Sequence, residues 1–389
     1  MKRICFIVDS IFTIGGVQRV TAVIAGAMSK DNEVTIITFD SPNKKDLSMY
    51  QLAEYNIKYE FISYPSINPA KNMLYKVYSF LYRKILPKCK LTSDLYAHSS
   101  FPQEQSNVLS NIILKGKYDT VIGVHAFLAM RLATIKKRLI NINTIGWIHN
   151  SFDALLREGS PYIGKELKYH YGRQLQKLDK VVVLYQQDAE MYHMTFGFKP
   201  SSINNPLTLK PGPKSNGHQM KFLAVGRFSP EHKGFDLLIQ AFALFAKNNQ
   251  KWKLDIVGDG PIKDQLLLLI SSNGLDGQIK LHPFTNNIQT YYSSASIYVL
   301  SSRWEGFGLV IVEAMAHGLP IISSDLPSSK DILGNFGLYF KNGSVLDLAQ
   351  KLNEATHLDW QKKSQEALNI AKRFDVSSII QQWKNVIES

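Results

Sequence analysis

Along the chain, short runs of apolar and β-branched residues alternate with longer stretches in which apolar positions recur every three or four residues. In the first half, RICFIVD, EVTIITF, YDTVIGVH, NTIGWIH and KVVVLY are short enough for strands buried on both faces. VQRVTAVIAGAMSK, between the first two, carries a helical period. The second half repeats the scheme with MKFLAVG, WKLDIVG, QIKLHPF, SIYVLSS, LPIISSD and GLYF. Between them lie helical stretches such as FDLLIQAFALFAKNN and PIKDQLLLLISSNG. This alternation predicts parallel sheets covered by helices.

The pattern breaks over NNPLTLKPGPKSNGHQ, where three prolines and two glycines disfavour regular structure. The expected organisation is α/β, with two doubly wound domains facing one another. The first covers residues 1–205, a linker covers 206–219, and the second covers 220–370. A C-terminal helix over 371–389 is expected to pack back on the first domain. Ligands of such sheets sit beyond the carboxyl ends of the strands, so a cleft between the domains is the expected site.

A chain of 389 residues can hold two or three cores of this kind. Its opening, MKRICFIVDS, has an apolar run of only five residues before Asp9, which reads as a first strand rather than a signal sequence. No apolar run is long enough to span a membrane. Two cysteines do not make a disulfide framework, so a cytoplasmic location is expected.

Charge adds a second asymmetry. Of the net +13, residues 1–210 carry +11 and residues 211–389 carry +2. From Phe61 to Ser93 there is no acid, while Lys71, Lys76, Arg83, Lys84, Lys88 and Lys90 interleave with Tyr75, Tyr78, Phe80 and Tyr82. A basic, aromatic, amphipathic helix over 71–90 suits the anionic surface of a membrane, at its inner face in the cell. It equally suits a solvated helix packed on the core through Leu74, Val77 and Leu81. Nucleic acid, which also attracts bases and aromatics, is set aside.

Two stretches carry candidate chemistry. In FLAVGRFSPEHKGFDLL a strand ends at Gly226, Arg227 and Lys233 follow, and a helix starts near Phe235. Two cations and a helix N-terminus at the carboxyl edge of a sheet suit a diphosphate. In SSRWEGFGLVIVEAMAHGLPIISSD, Glu305 lies in the strand-to-helix loop and Glu313 stands two helical turns on, near enough in angle to share its face. Gly306 and Gly308 let backbone amides approach a ligand. Apolar neighbours surround Glu313, so a buried polar partner is expected for it. Two acceptor-only carboxylates suit hydroxyl-rich partners, a sugar ring and a ribose.

These stretches, with LDIVGDGP, resemble the nucleotide-sugar-binding half of retaining glycosyltransferase family 4, whose fold is GT-B, two Rossmann-like domains. The resemblance covers most of residues 220–345 and rests on the E-x7-E pattern with E-G-F-G and A-x-G-x-P around it. IFTIGGVQRV, His125 and NNPL resemble the family more weakly. The resemblance implies a transferase moving a hexosyl or N-acetylhexosaminyl group from a nucleoside diphosphate sugar, with uracil the base. The acceptor is a saccharide or a lipid-linked sugar in cell-surface polysaccharide biosynthesis.

By the same resemblance, Arg227 and Lys233 bind the diphosphate, and Glu305 holds donor sugar hydroxyls beside the amides of Gly306, Phe307 and Gly308. Glu313 holds the ribose. Gly16 with Gly15 would present a helix N-terminus to phosphates, Gly15 and His149 lying towards the acceptor. A histidine at the position of His125 contacts the donor sugar or the reacting centre. Retention by a front-face route, with the departing phosphate taking the acceptor proton, is what the resemblance implies. No Asp-x-Asp occurs and the histidines are not clustered, so neither a metal nor another cofactor is expected. Two other readings share the architecture, a non-catalytic or partner-dependent nucleotide-sugar-binding subunit and a GT-B-type epimerase.

Overall fold

The computed structural model describes residues 1–230 and 232–389. The chain forms two compact units, Met1–Pro206 with Val376–Ser389, and Leu207–Asp375.

The first unit holds seven parallel strands: β1 (Arg3–Val8), β2 (Glu33–Thr38), β3 (Ile57–Phe61), β4 (Thr120–Val124), β5 (Asn143–Trp147), β6 (Lys180–Val183) and β7 (Ser201–Ser202). Their order is β3-β2-β1-β4-β5-β6-β7. The order reverses between β1 and β4, whose residues Ile4 and Thr120 are in register. The five anticipated runs are β1, β2, β4, β5 and β6. The two edge strands were not anticipated. Edge strand β3 keeps Lys58 and Glu60 outside, and Lys58 pairs with Glu33 of β2 at 3.2 Å.

The first helix, Gly16–Met28, buries Val20, Ile24 and Met28, spaced four apart, against the sheet. The helix Val376–Glu388 closes this unit by setting Trp383 against Trp147 at the end of β5, ring centres 4.9 Å apart at 75°. Lys384 pairs with Asp31 at 2.8 Å, and Lys180 donates to the Val386 carbonyl at 2.5 Å.

Among the described residues the second unit holds six parallel strands: β8 (Lys221–Val225), β9 (Lys253–Val257), β10 (Ile279–His282), β11 (Ile297–Leu300), β12 (Ile321–Ser324) and β13 (Leu338–Phe340). Their order is β10-β9-β8-β11-β12-β13. All six match the anticipated runs, and the reversal falls between β8 and β11, with Ile297 beside Phe222. Helix Phe235–Ala246 buries Phe235, Leu238, Phe242 and Phe245 on this sheet.

Three expectations require correction. Residues 207–219 are not a free linker, because they are fastened to the second unit. Gly212 and Ser215 amides donate to His317 at 3.0 Å each, and the Ser215 hydroxyl donates to the Ala295 carbonyl. Residues 371–375 also stay with that unit, so the return to the first begins at Val376. The helix Pro69–Lys84 does not pack on the core through Leu74 and Val77, which are exposed; Tyr82 is its buried residue.

Candidate functional site

In a doubly wound sheet, loops from the two strands at the reversal point diverge and leave a crevice at the carboxyl edge. In the second unit these loops are 226–234, after β8, and 301–308, after β11. Their side chains meet as this topology requires. The Lys233 ammonium donates to Glu305 Oε1 at 2.5 Å, and the Ser302 hydroxyl donates to the same oxygen at 2.6 Å. The Ser301 hydroxyl donates to the Lys233 carbonyl at 2.8 Å, and the Arg303 amide to the His232 carbonyl at 2.8 Å. The two loops thus form one hydrogen-bonded body.

Glycine makes the approach possible. Gly234 has φ +61°, and a Cβ there would lie 2.1 Å from the Ser301 carbonyl oxygen. At Gly226 a Cβ would press on the methylenes of Lys233 at 3.0–3.2 Å. Gly308, φ +93°, turns the chain into helix Leu309–Ala316. Arg303 and Asp236 brace the base of the site with two contacts of 3.0 and 2.8 Å.

Burial alone would push the Glu305 carboxyl upward. The Lys233 charge, then His232 and the two hydrogen bonds, outweigh it and hold Glu305 below the usual carboxylate range. It is therefore ionised at neutral pH, an acceptor supported by one cation. The residues preceding this pair in sequence, His232 and Trp304, stack their rings at 5.0 Å and 12°.

Glu305 precedes the helix, so helical spacing does not put it on one face with Glu313. Glu313 is 2 % exposed, and its Oε2 accepts from the Tyr292 hydroxyl at 2.9 Å. The anticipated polar partner therefore comes from another helix. Behind it, His317 Nε2 accepts from the Gly212 amide, so Nδ1 carries the proton and donates to the Glu313 carbonyl at 2.7 Å. The Tyr292 and His317 rings stack at 5.0 Å.

Of the remaining anticipated residues, Arg227 is exposed at the end of β8, and Gly306 lies in the loop. Phe307 turns its ring inward, 6.0 Å from that of Phe374, and offers a ligand its backbone. Ser302, Tyr292, His317, His232 and Trp304 were not singled out from the sequence. Ser302 could have been found from its place at the end of β11. Tyr292 belongs to a separate short helix, and no sequence spacing connects it to Glu313.

In the first unit the reversal point brings together the loop after β1 and His125 after β4. Asp40, at the end of β2, clamps the first loop, accepting from the Ser10 hydroxyl at 2.7 Å and the Ile11 amide at 2.8 Å. Gly15 donates its amide to the Tyr50 hydroxyl at 2.8 Å, and Gly16 begins the following helix. His125 has φ +78° and caps helix Ala126–Ile135, its amide bound to the Trp147 carbonyl at 2.9 Å. Burial lowers the His125 imidazole below its ordinary range, against the opposing Asp9 charge and an Asn150 hydrogen bond.

His149, 5 % exposed, has its ring 5.5 Å from that of His125 and 4.2 Å from that of Trp147. Burial, then the neighbouring His125, keep it neutral. The structure thus gathers Gly15, Gly16, His125 and His149 on the first unit, and Arg227, Lys233, Glu305, Gly306 and Gly308 on the second. Among the described residues no group of three or more His, Cys, Asp or Glu could hold a metal ion.

Residues 208–374 match the family model described as glycosyl transferases group 1. An uncharacterised glycosyltransferase of Haemophilus influenzae is 27% identical over 100% of both chains. The amylovoran biosynthesis glycosyltransferase AmsD of Erwinia amylovora is 25% identical, again over 100% of both. A variant of S. aureus TarM, solved with fondaparinux, alpha-GlcNAc-glycerol and UDP, superposes with a TM-score of 0.72 at 17% identity, covering 100% of both chains. The fold is GT-B, two Rossmann-like α/β domains, and the match to glycosyl transferases group 1 lies in the second of them.

Proposed function

We propose that the protein transfers a hexosyl or N-acetylhexosaminyl group from a UDP-sugar to a hydroxyl of a saccharide or lipid-linked acceptor, with anomeric configuration retained. This places it within retaining family 4 and within the assembly of cell-surface polysaccharide. The observation that carries the reading is the Lys233–Glu305–Ser302 cluster at the β8/β11 reversal point, with Arg227 exposed on the same loop.

The cluster supports donor binding through its charges. A diphosphate brings two anionic centres to a lysine already committed to a carboxylate. Its arrival draws Lys233 towards phosphate and leaves Glu305, still ionised, to accept sugar hydroxyls. Arg227 adds the second cation, and amides at Gly306–Gly308 face the same edge. In this reading Glu313 holds the ribose and Tyr292 orients it. Charge developing on the leaving diphosphate is met by Arg227 and Lys233. The acceptor proton then leaves on the departing phosphate, and no metal or further cofactor takes part. Relatives named for polymer biosynthesis and a structural neighbour that holds UDP support the substrate class.

Release of nucleotide from a panel of UDP- and GDP-sugars tests this, with wild type and Glu305→Ala in parallel. One UDP-sugar should be hydrolysed slowly, and Glu305→Ala should lower that rate by at least about 100-fold, the scale of losing a transition-state contact. Turnover within a few-fold of wild type would remove Glu305 from the donor site.

A further inference from the structure

A helix on the surface of a globular protein normally turns its apolar stripe inward. Helix Pro69–Lys84 does the reverse. Tyr78 and Tyr82, four residues apart, face the body of the first unit. The buried Tyr82 stacks on Tyr96 of helix Lys90–Ser100 at 4.6 Å, and Tyr78 donates to the Thr92 carbonyl at 2.9 Å. On the opposite side, Met73, Val77 and Phe80 follow at steps of four and three, 68 %, 47 % and 60 % exposed. Leu74 and Ile85 flank them, and Leu91 and Leu95 continue the exposed apolar surface on the second helix.

The charges around this stripe have one sign. Lys76, Lys84 and Lys90 are exposed. Of the nearby acids, Glu104 is engaged with Lys71 at 2.5 Å and Asp94 with Arg173 at 2.8 Å, while Glu166 lies in the field of Lys88. Two basic residues named from the sequence are committed elsewhere. Arg83 donates to the Tyr96 hydroxyl at 3.2 Å, and Lys88 donates to the Tyr82 carbonyl.

We infer that the two helices form a docking face for an anionic lipid bilayer. Met73, Val77 and Phe80 enter the boundary between headgroups and chains, while Lys76, Lys84 and Lys90 meet lipid phosphates. Charge complementarity selects this occupant. A second copy of the chain would bring the same lysines against one another without acids to receive them. A neutral apolar partner would leave them without counter-charge. The inference goes beyond the proposed transfer reaction and does not depend on the donor site.

The test is flotation of the full chain with phosphatidylcholine vesicles, with and without phosphatidylglycerol, at low and molar salt. Wild type should float only with the anionic vesicles and be released by salt, a result that needs no variant. Each of Lys76→Gln, Lys84→Gln and Lys90→Gln should weaken partitioning by about five-fold. Phe80→Ser should weaken it by at least about five-fold at low salt. Equal binding to neutral vesicles, or wild-type binding by Phe80→Ser, would overturn the inference. So would a dimer in sedimentation that Phe80→Ser dissolves. Donor hydrolysis without vesicles should be unchanged in all four variants, which shows they fold. Flotation without hydrolysis would count against the proposed reaction alone.

Discussion

At the scale of single residues, the Lys233–Glu305 cluster depends as much on missing atoms as on charged ones. Gly234 lets the Lys233 carbonyl and side chain come under the β11 loop, and a methyl group there would meet Ser301 at 2.1 Å while forcing an L-residue into left-handed backbone. Gly234→Ala should cost at least about 2 kcal/mol in urea unfolding of the second unit, from the backbone conformation and the clash together. It should also raise the donor concentration needed for half-maximal hydrolysis, because Lys233 moves with its backbone. Wild-type stability and donor affinity would contradict this account. The acids, the cations and the glycines were legible in the sequence as types in a spacing. Tyr292 was not, because its contact with Glu313 is made by folding two helices together. Nor was the pairing of Lys233 with Glu305, seventy-two residues apart, until the strand order made their loops neighbours.

At the scale of elements, the buried parallel strands were legible because each is a nearly unbroken apolar run. Edge strand β3 was not, since IKYEF alternates and only half of it is shielded. The Pro- and Gly-rich stretch 206–219 reads as a linker by composition, yet its backbone is fixed through His317 and Ala295, contacts that composition does not encode. The closing helix Val376–Glu388 shows how much one element can hold. Trp383 is fully buried against Trp147, and Trp383→Ala should destabilise the first unit by about 3–5 kcal/mol. Urea unfolding followed by Trp147 fluorescence would measure it. A loss below about 1 kcal/mol would mean the helix is an accessory rather than part of the core.

At the scale of the whole molecule, acidity should act first on the first unit, where burial lowers His149 and His170 furthest. Burial, then the Lys177 charge, lowers His170 from the ordinary 6.5 to about 4, while its Nδ1 shares a 2.9 Å hydrogen bond with the Ser93 hydroxyl. Between those values the unfolded chain binds the proton and the folded chain does not, so stability is complete above about pH 6.5 and falls as pH drops towards 4. The loss from this group should reach about 2 kcal/mol by pH 5. Urea midpoints from pH 7 to 5 would show it, and His170→Gln should flatten the profile. An unchanged slope in the variant would assign the acid sensitivity to other groups.

The route of the chain through its two units also sets a timetable. Trp147 is synthesised with β5, but Trp383 follows only after the whole of residues 207–375 has left the ribosome. At about 5–20 residues per second, that interval is roughly 10–50 s. Throughout it the first unit has an open seat on its sheet, and the second unit, whose last strand ends at Phe340, is complete before Trp383 is made. The amino-terminal half of this protein should therefore be the later half to become protease-resistant during translation, and the half that a holdase chaperone would meet.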